Sequence, residues 1–152
     1  MTDQHVTRRT DDPGTFLTAY RWVTPLFTVL VIVQAFLGMR GFVNAQEGLI
    51  DMHEMLANAM FLLAIAQTVM AWLLYTRGVA GMPVLVLNGL LVLLTVAQIG
   101  LGYSTRGDSF VTTVSLHVPN GVLLMGISTA VAVMAWQLDD RATGAPKARR
   151  QG

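Results

Sequence analysis

The chain of 152 residues contains no cysteine and little charge. Without cysteine it cannot form disulfides, cysteine-ligated zinc sites, iron–sulfur clusters or thioether bonds to haem. Charged residues make up 12% of the chain, about half the share in an ordinary soluble domain. The net charge is +1 and no basic patch lies outside the tails, so no nucleic-acid partner is expected. What remains is an apolar chain, 53% hydrophobic, with a mean hydropathy of +0.54.

Four long apolar stretches account for this composition. Each reaches, the first only just, the length of about 20 residues that crosses a bilayer as a helix, and none alternates like a barrel strand. Short polar connections make successive helices antiparallel neighbours. The sequence therefore predicts an all-α, integral membrane four-helix bundle over residues 16–138, with polar tails at 1–15 and 139–152. The predicted helices are Trp22–Met39, Leu49–Tyr75, Met82–Tyr103 and Val111–Leu138.

The positive charges predict the orientation of the bundle, because cytoplasmic loops of membrane proteins are rich in Lys and Arg. Only Arg40 and Arg106 lie on the side of the first and third connections. The other eight cations lie on the opposite side, in the tails, at Arg21 and in the middle connection at Arg77. We therefore expect a protein of a bacterial-type inner membrane with both termini in the cytoplasm.

An internal repeat relates the two halves of the chain. A shift of 64 residues without a gap aligns the first helix with the third and the second with the fourth. A two-helix unit repeated in this way implies a pseudo-two-fold axis along the membrane normal. Leucine and valine matches mean little in so apolar a chain, but three less common pairs share the register: Gln34/Gln98, His53/His117 and Trp72/Trp136.

The repeated histidines are the main candidate site. His53 and His117 lie near the starts of the second and fourth helices, and the pseudo-two-fold places them opposite each other. Ionisable residues within membrane segments are costly and normally face a partner inside the bundle. They can be interhelical hydrogen bonders, or the two axial ligands of one haem iron. Zinc is disfavoured because it usually requires three or four protein ligands.

Small residues lie on the same helical face as each histidine. Ala57 and Gly121 come one turn after His53 and His117, and further small residues follow at Ala64, Ala71, Ser128 and Ala135. Small residues allow helices to pack closely in membranes. At Ala57 and Gly121 they would also leave room for a flat tetrapyrrole, so these two positions are predicted to line a cofactor.

Two glutamines and two arginines complete the predicted site. Gln34 and Gln98 lie near the depth of the histidines, where they can bridge helices or bind a histidine nitrogen or the cofactor edge. Arg40 and Arg106 lie at the outer surface, either as ordinary interfacial arginines or as partners of haem propionates. Asp51 and Glu54 flank only His53 and are interpreted as solvated residues at the helix entrance.

The pattern resembles one half of the heme A synthase family, whose four-helix halves carry a haem-ligating histidine near the start of the second and fourth helices. The segment "MHEMLANAMFLLAIAQTVMAW" resembles the second helix, "LHVPNGVLLMGISTAVAVMAW" the fourth, and "VAQIGLGYSTRGD" the third helix and its exit. The resemblance implies that His53 and His117 are axial ligands of a b-type haem. It does not extend to haem A synthesis by this chain alone, because that enzyme joins two such bundles.

These observations predict a membrane cytochrome b-like protein with one bis-histidine haem b and a role in single-electron transfer. Its expected partners are the lipid bilayer, a redox partner or membrane complex, and a quinone. One alternative is a haem-free structural or assembly subunit whose histidines bridge helices. Another is a haem carrier or sensor.

Overall fold

The computed structural model describes residues 13–104 and 110–138. This part of the chain is all-α, as the sequence predicts, and forms four helices: α1 Pro13–Val43, α2 Glu47–Thr76, α3 Met82–Ser104 and α4 Phe110–Gln137. All four are long and apolar enough to cross a membrane. Large apolar side chains cover their outer faces, as in Phe36, Leu62 and Leu93, which are 61%, 66% and 67% exposed. So much exposed apolar surface suits lipid and not water, and the chain is an integral membrane protein.

Each helix packs against two neighbours, in the cyclic order α1, α2, α3, α4. The helices of one repeat position, α1 with α3 and α2 with α4, are therefore diagonal to each other, as a two-fold axis along the bundle requires. The innermost apolar side chains come from all four helices and include Phe27, Leu74, Leu91 and Val131, each at 0% exposure.

Helix α1 is longer at both ends than its apolar stretch predicts. It begins at Pro13 instead of Trp22 and continues to Val43. Proline suits the first position of a helix, where its missing N–H is not needed. Leu17 and Tyr20 then lie in the core at 1% and 0% exposure, so this first part of α1 is held by packing.

Arg21 lies within this extended part of α1, directly before the apolar stretch that begins at Trp22. Its guanidinium donates to the backbone oxygens of Ala135 and Leu138, at 3.3 Å and 2.5 Å, and lies 5.9 Å from the ring centroid of Trp136. The last carbonyls of a helix have no partner within the helix. Arg21 therefore caps the end of α4 and joins the first helix to the last.

The connection between the two repeats is a compact turn after α2. Gly78 has a φ of +71°, a left-handed conformation that costs glycine little. Its N–H donates to the Tyr75 oxygen, and the N–H of Val79 donates to the Leu74 oxygen, both at 2.9 Å. This is the Schellman arrangement that ends many helices. It turns the chain directly into α3.

Candidate haem site

His53 and His117 face each other inside the bundle. They are the seventh residue of α2 and the eighth of α4, about 9 to 11 Å along the helix axis from each helix start. Their ring centroids are 6.5 Å apart, their planes are inclined by 52°, and both residues are half-buried. The diagonal helices thus bring together the two histidines that the repeat predicted to be opposite each other.

Gln34 and His53 form a reciprocal pair between α1 and α2. Nε2 of Gln34 donates to the backbone oxygen of His53 at 3.0 Å. Nδ1 of His53 lies 3.0 Å from the backbone oxygen of Gln34. With Nδ1 protonated and bound to a carbonyl, Nε2 is the ring nitrogen with a lone pair available for a ligand. In the first repeat, glutamine and histidine are therefore in contact, but each side chain bonds to the backbone oxygen of the other residue, and the amide and the ring do not bond to each other.

The second repeat uses Gln98 differently. Its side-chain oxygen accepts a hydrogen bond from Nδ2 of Asn120, which also donates to the Leu94 backbone oxygen at 3.0 Å. The Gln98 backbone lies beside the His117 ring, as the Gln34 backbone lies beside His53. Nδ1 of His117 is nevertheless buried and makes no hydrogen bond of normal geometry. The ring of His117 is therefore held less firmly than that of His53.

Two glycines that share the repeat register contact the histidine rings. A Cβ added to Gly38 would lie 2.9 Å from Cε1 and 3.1 Å from Nδ1 of His53. A Cβ added to Gly102 would lie 3.5 Å from Cε1 of His117. Glycine is therefore needed at position 38, because any side chain there would displace the His53 ring from its contact with α1. In the second repeat the approach is looser, and an ordinary van der Waals contact would result.

Ala57 and Gly121, the predicted cofactor-lining positions, are both half-buried one turn after the histidines. A Cβ added to Gly121 would lie 3.3 Å from Nε2 of Gln98. The neighbour of Gly121 is therefore the end of the Gln98 side chain, which can change rotamer, and not a backbone atom. The small residues further along the same two helical faces are at most 2% exposed and pack between the helices. They are Ala64, Ala71, Ser128 and Ala135.

Arg40 lies in the last turn of α1 and is exposed, two residues beyond Gly38 and so at the histidine end of the bundle. Arg106 lies outside the described residues. Next to Arg40, residues from the end of α1 and the first turns of α2 line an open cavity of about 410 Å³. The exposed Asp51 and the half-buried Glu54 both line it.

No group of three or more His, Cys, Asp and Glu side chains within residues 13–104 and 110–138 could hold a metal ion. A metal bound between His53 and His117 would need further ligands besides these two side chains. A tetrapyrrole, which supplies four nitrogens in a plane and leaves two axial positions, fits a pair of opposed imidazoles.

Three residues of the site were not predicted: Gly38, Gly102 and Asn120. The two glycines carry a signal in the sequence, because each follows a glutamine of the repeat by four residues, one helical turn. Asn120 has no such signal, since the residue at its repeat position is Leu56. Comparisons of the chain with protein-family models, with curated proteins and with solved structures gave no match in any of the three.

Proposed function

We propose that this protein is a membrane cytochrome b-like protein that binds one haem b between His53 and His117 and transfers single electrons. The observation that carries the proposal is the distance between the two rings, 6.5 Å between centroids. Two imidazoles on opposite sides of one metal, with metal–nitrogen bonds of about 2.0 to 2.1 Å, have centroids about 6 Å apart. Two imidazoles joined by a direct hydrogen bond of about 3 Å have centroids about 5 Å apart. The observed spacing favours the first arrangement.

The surroundings of the rings support the same proposal. Ligating histidines usually donate their second ring N–H to a carbonyl or carboxylate, which fixes the tautomer and the ring orientation. Gln34 offers its backbone oxygen to Nδ1 of His53 in this way. The sequence resemblance to a heme A synthase half points to the same two histidines.

The bound haem would supply one-electron redox chemistry. The chain would hold both axial positions through its histidines, so binding or activation of oxygen is not expected without loss of a ligand. Arg40 and Arg106 would pair with the propionates at the outer surface. The proposed electron path leads from a quinol or a periplasmic donor to a partner membrane complex. The direction of this path rests on the charge distribution, which predicts that the histidine end is on the outer side and both termini are in the cytoplasm.

The test is the absorption spectrum of the purified full-length protein, oxidised and reduced. A low-spin haem b spectrum with a sharp reduced α-band is expected. Replacement of His53 or His117 by alanine should abolish it or leave a weakly held high-spin haem. The matched control is His5→Ala, since His5 lies in the N-terminal tail and should not affect the spectrum. A spectrum unchanged in both single variants of the histidine pair would refute the proposed ligands.

A haem-free structural or assembly subunit is the second candidate, and one observation favours it. The reciprocal hydrogen bonds between Gln34 and His53 join α1 to α2 without any cofactor. In that case the purified protein is colourless, and His53→Ala lowers thermal stability much more than His117→Ala. A haem carrier or sensor would instead be coloured and would lose its haem reversibly to an acceptor such as apomyoglobin.

A further inference from the structure

The strongest unexplained feature is a pair of buried amides in the half of the bundle away from the histidines. Gln67 lies 14 residues after His53, about 21 Å further along α2. Its side chain is 0% exposed, and neither Oε1 nor Nε2 has a hydrogen-bond partner. Asn88 of α3 is also 0% exposed, and its Oδ1 has no partner. Burial of an amide without hydrogen bonds is strongly unfavourable.

The two amides lie at the same depth on adjacent helices. Thr68, the residue after Gln67, donates through Oγ1 to the backbone oxygen of Asn88 at 3.1 Å. Nδ2 of Asn88 donates to the hydroxyl of Tyr20 at 2.7 Å and to the Val84 oxygen at 2.8 Å. Both protons of the Asn88 amide are thus used. The groups without partners are two acceptors, Oε1 of Gln67 and Oδ1 of Asn88, and one donor group, Nε2 of Gln67.

We propose that this site, consisting of Gln67, Asn88 and Tyr20, binds water inside the bundle. A water molecule can donate to both free oxygens and accept from Nε2 of Gln67, which gives it the two to four polar partners that a buried water requires. The proposal does not depend on haem binding.

Size and charge exclude other ligand classes. Ala64 and Ala71, one turn before and after Gln67, are both 0% exposed, so the site is closed along α2. A bulky ligand would have to move these packed helices apart. The buried polar residues of the described core are all neutral Thr, Ser, Asn and Gln, so an ion would have no opposite charge there. Two amide oxygens are also too few for a hard cation, which takes six or more oxygens.

The side of the bundle related to this one by the pseudo-two-fold axis, between α4 and α1, shows that the layer can be built without the two amides. The repeat position of Gln67 is Val131, at 0% exposure, and that of Asn88 is Thr24, whose hydroxyl donates to the Tyr20 backbone oxygen at 3.1 Å. In this layer, the polar groups without a hydrogen-bond partner therefore lie on the α2–α3 side of the axis and not on the α4–α1 side. A packing requirement of the fold would have affected both.

The direct test is solid-state NMR of the full-length protein in lipid bilayers, with magnetisation transferred from water to side-chain and backbone amides. The Gln67 side-chain signal is assigned by its loss in Gln67→Met. It should receive magnetisation from water clearly faster than the backbone amide of Ala71, which is equally buried, and at a rate approaching that of the exposed Gln46 side chain. A rate for Gln67 no faster than that for Ala71 would overturn the proposal.

Thermal unfolding gives an independent readout. If water joins the two amides, Gln67→Met leaves Oδ1 of Asn88 without a partner, and the Tm should fall. If no water is bound, the same change removes a polar group that has no hydrogen-bond partner, and the Tm should stay equal or rise. An equal or higher Tm would therefore contradict the proposal. The matched control is Thr95→Val, because the buried Thr95 hydroxyl is already satisfied by the Leu91 oxygen at 2.7 Å. Its Tm should change less than that of Gln67→Met.

Discussion

Alanine substitutions at Gly38 and Gly102 test the histidine site on both halves of the repeat. Both glycines lie in odd-numbered helices and contact a histidine of the next helix. The same added methyl group meets two different distances: 2.9 Å to Cε1 of His53 from Gly38, and 3.5 Å to Cε1 of His117 from Gly102. Because the chemical change is identical, differences between the two variants report the local fit of the histidines.

The expected magnitudes follow from two opposing effects. Within a helix, alanine is more favourable than glycine by roughly 0.5–1 kcal/mol. Against this, an extra methyl group in a filled site costs about 1–3 kcal/mol when neighbours must shift. At Gly38 the methyl group would lie only 2.9 Å from the His53 ring, whose Nδ1 is fixed by the Gln34 backbone oxygen, so this cost applies in full. We expect Gly38→Ala to lose about 0–2 kcal/mol of stability and Gly102→Ala to gain up to about 1 kcal/mol.

Thermal unfolding in detergent micelles and the reduced absorption spectrum measure the two consequences. Gly38→Ala should have the lower Tm of the pair and a shifted or weakened low-spin spectrum, because His53 can no longer keep its position. Gly102→Ala should have a Tm equal to or slightly above that of the parent protein and should keep its spectrum. Equal behaviour of the two variants would refute the close approach of His53 to α1. The Tm comparison remains valid even if the protein binds no haem.

Three further predictions concern other parts of the molecule. A reporter fused after Gly152 should be cytoplasmic and one inserted at Asn44 extracytoplasmic; activity on the opposite side at either site would reverse the topology. Gly121→Leu should displace the nearby glutamine amide and reduce the haem-to-protein ratio, whereas Ala135→Leu should lower stability by about 1–3 kcal/mol and leave that ratio unchanged in the folded protein. Arg21→Ala should cost about 1–2 kcal/mol in thermal unfolding by removing the cap of α4, and Arg21→Lys should restore only part of this, because lysine lacks the guanidinium fork.

The architecture could be predicted because membrane helices have a strong sequence signal. Long apolar stretches separated by short polar connections determine the number of helices and the order of neighbours. The repeat then identifies which helices are diagonal, and this was sufficient to place His53 opposite His117. The prediction was less accurate for the start of α1, because hydropathy ends at Arg21 while packing of Leu17 and Tyr20 continues the helix.

The hydrogen bonds around the histidines could not be predicted, because they depend on rotamers and on helix rotation. Gln34 and Gln98 are equivalent in sequence, yet the first bonds to the His53 backbone and the second to Asn120. An asparagine in one repeat, where the other has Leu56, is enough to redirect the glutamine. The buried amides of Gln67 and Asn88 were missed for a similar reason: each lies in an apolar stretch without a repeat partner of its own type.

Comparison of the two repeats layer by layer distinguishes the histidine end from the rest of the core. Around the histidines, glutamine, glycine and histidine occur in both halves; each glycine contacts the histidine of its own repeat, and the two histidines face each other across the axis. In the inner half, Gln67 is matched by Val131, and the packing is just as tight at both positions. A four-helix bundle therefore tolerates unequal halves where it contains only its own side chains. The proposed haem would be held by one histidine from each half, and this would account for the recurrence of histidine at that end.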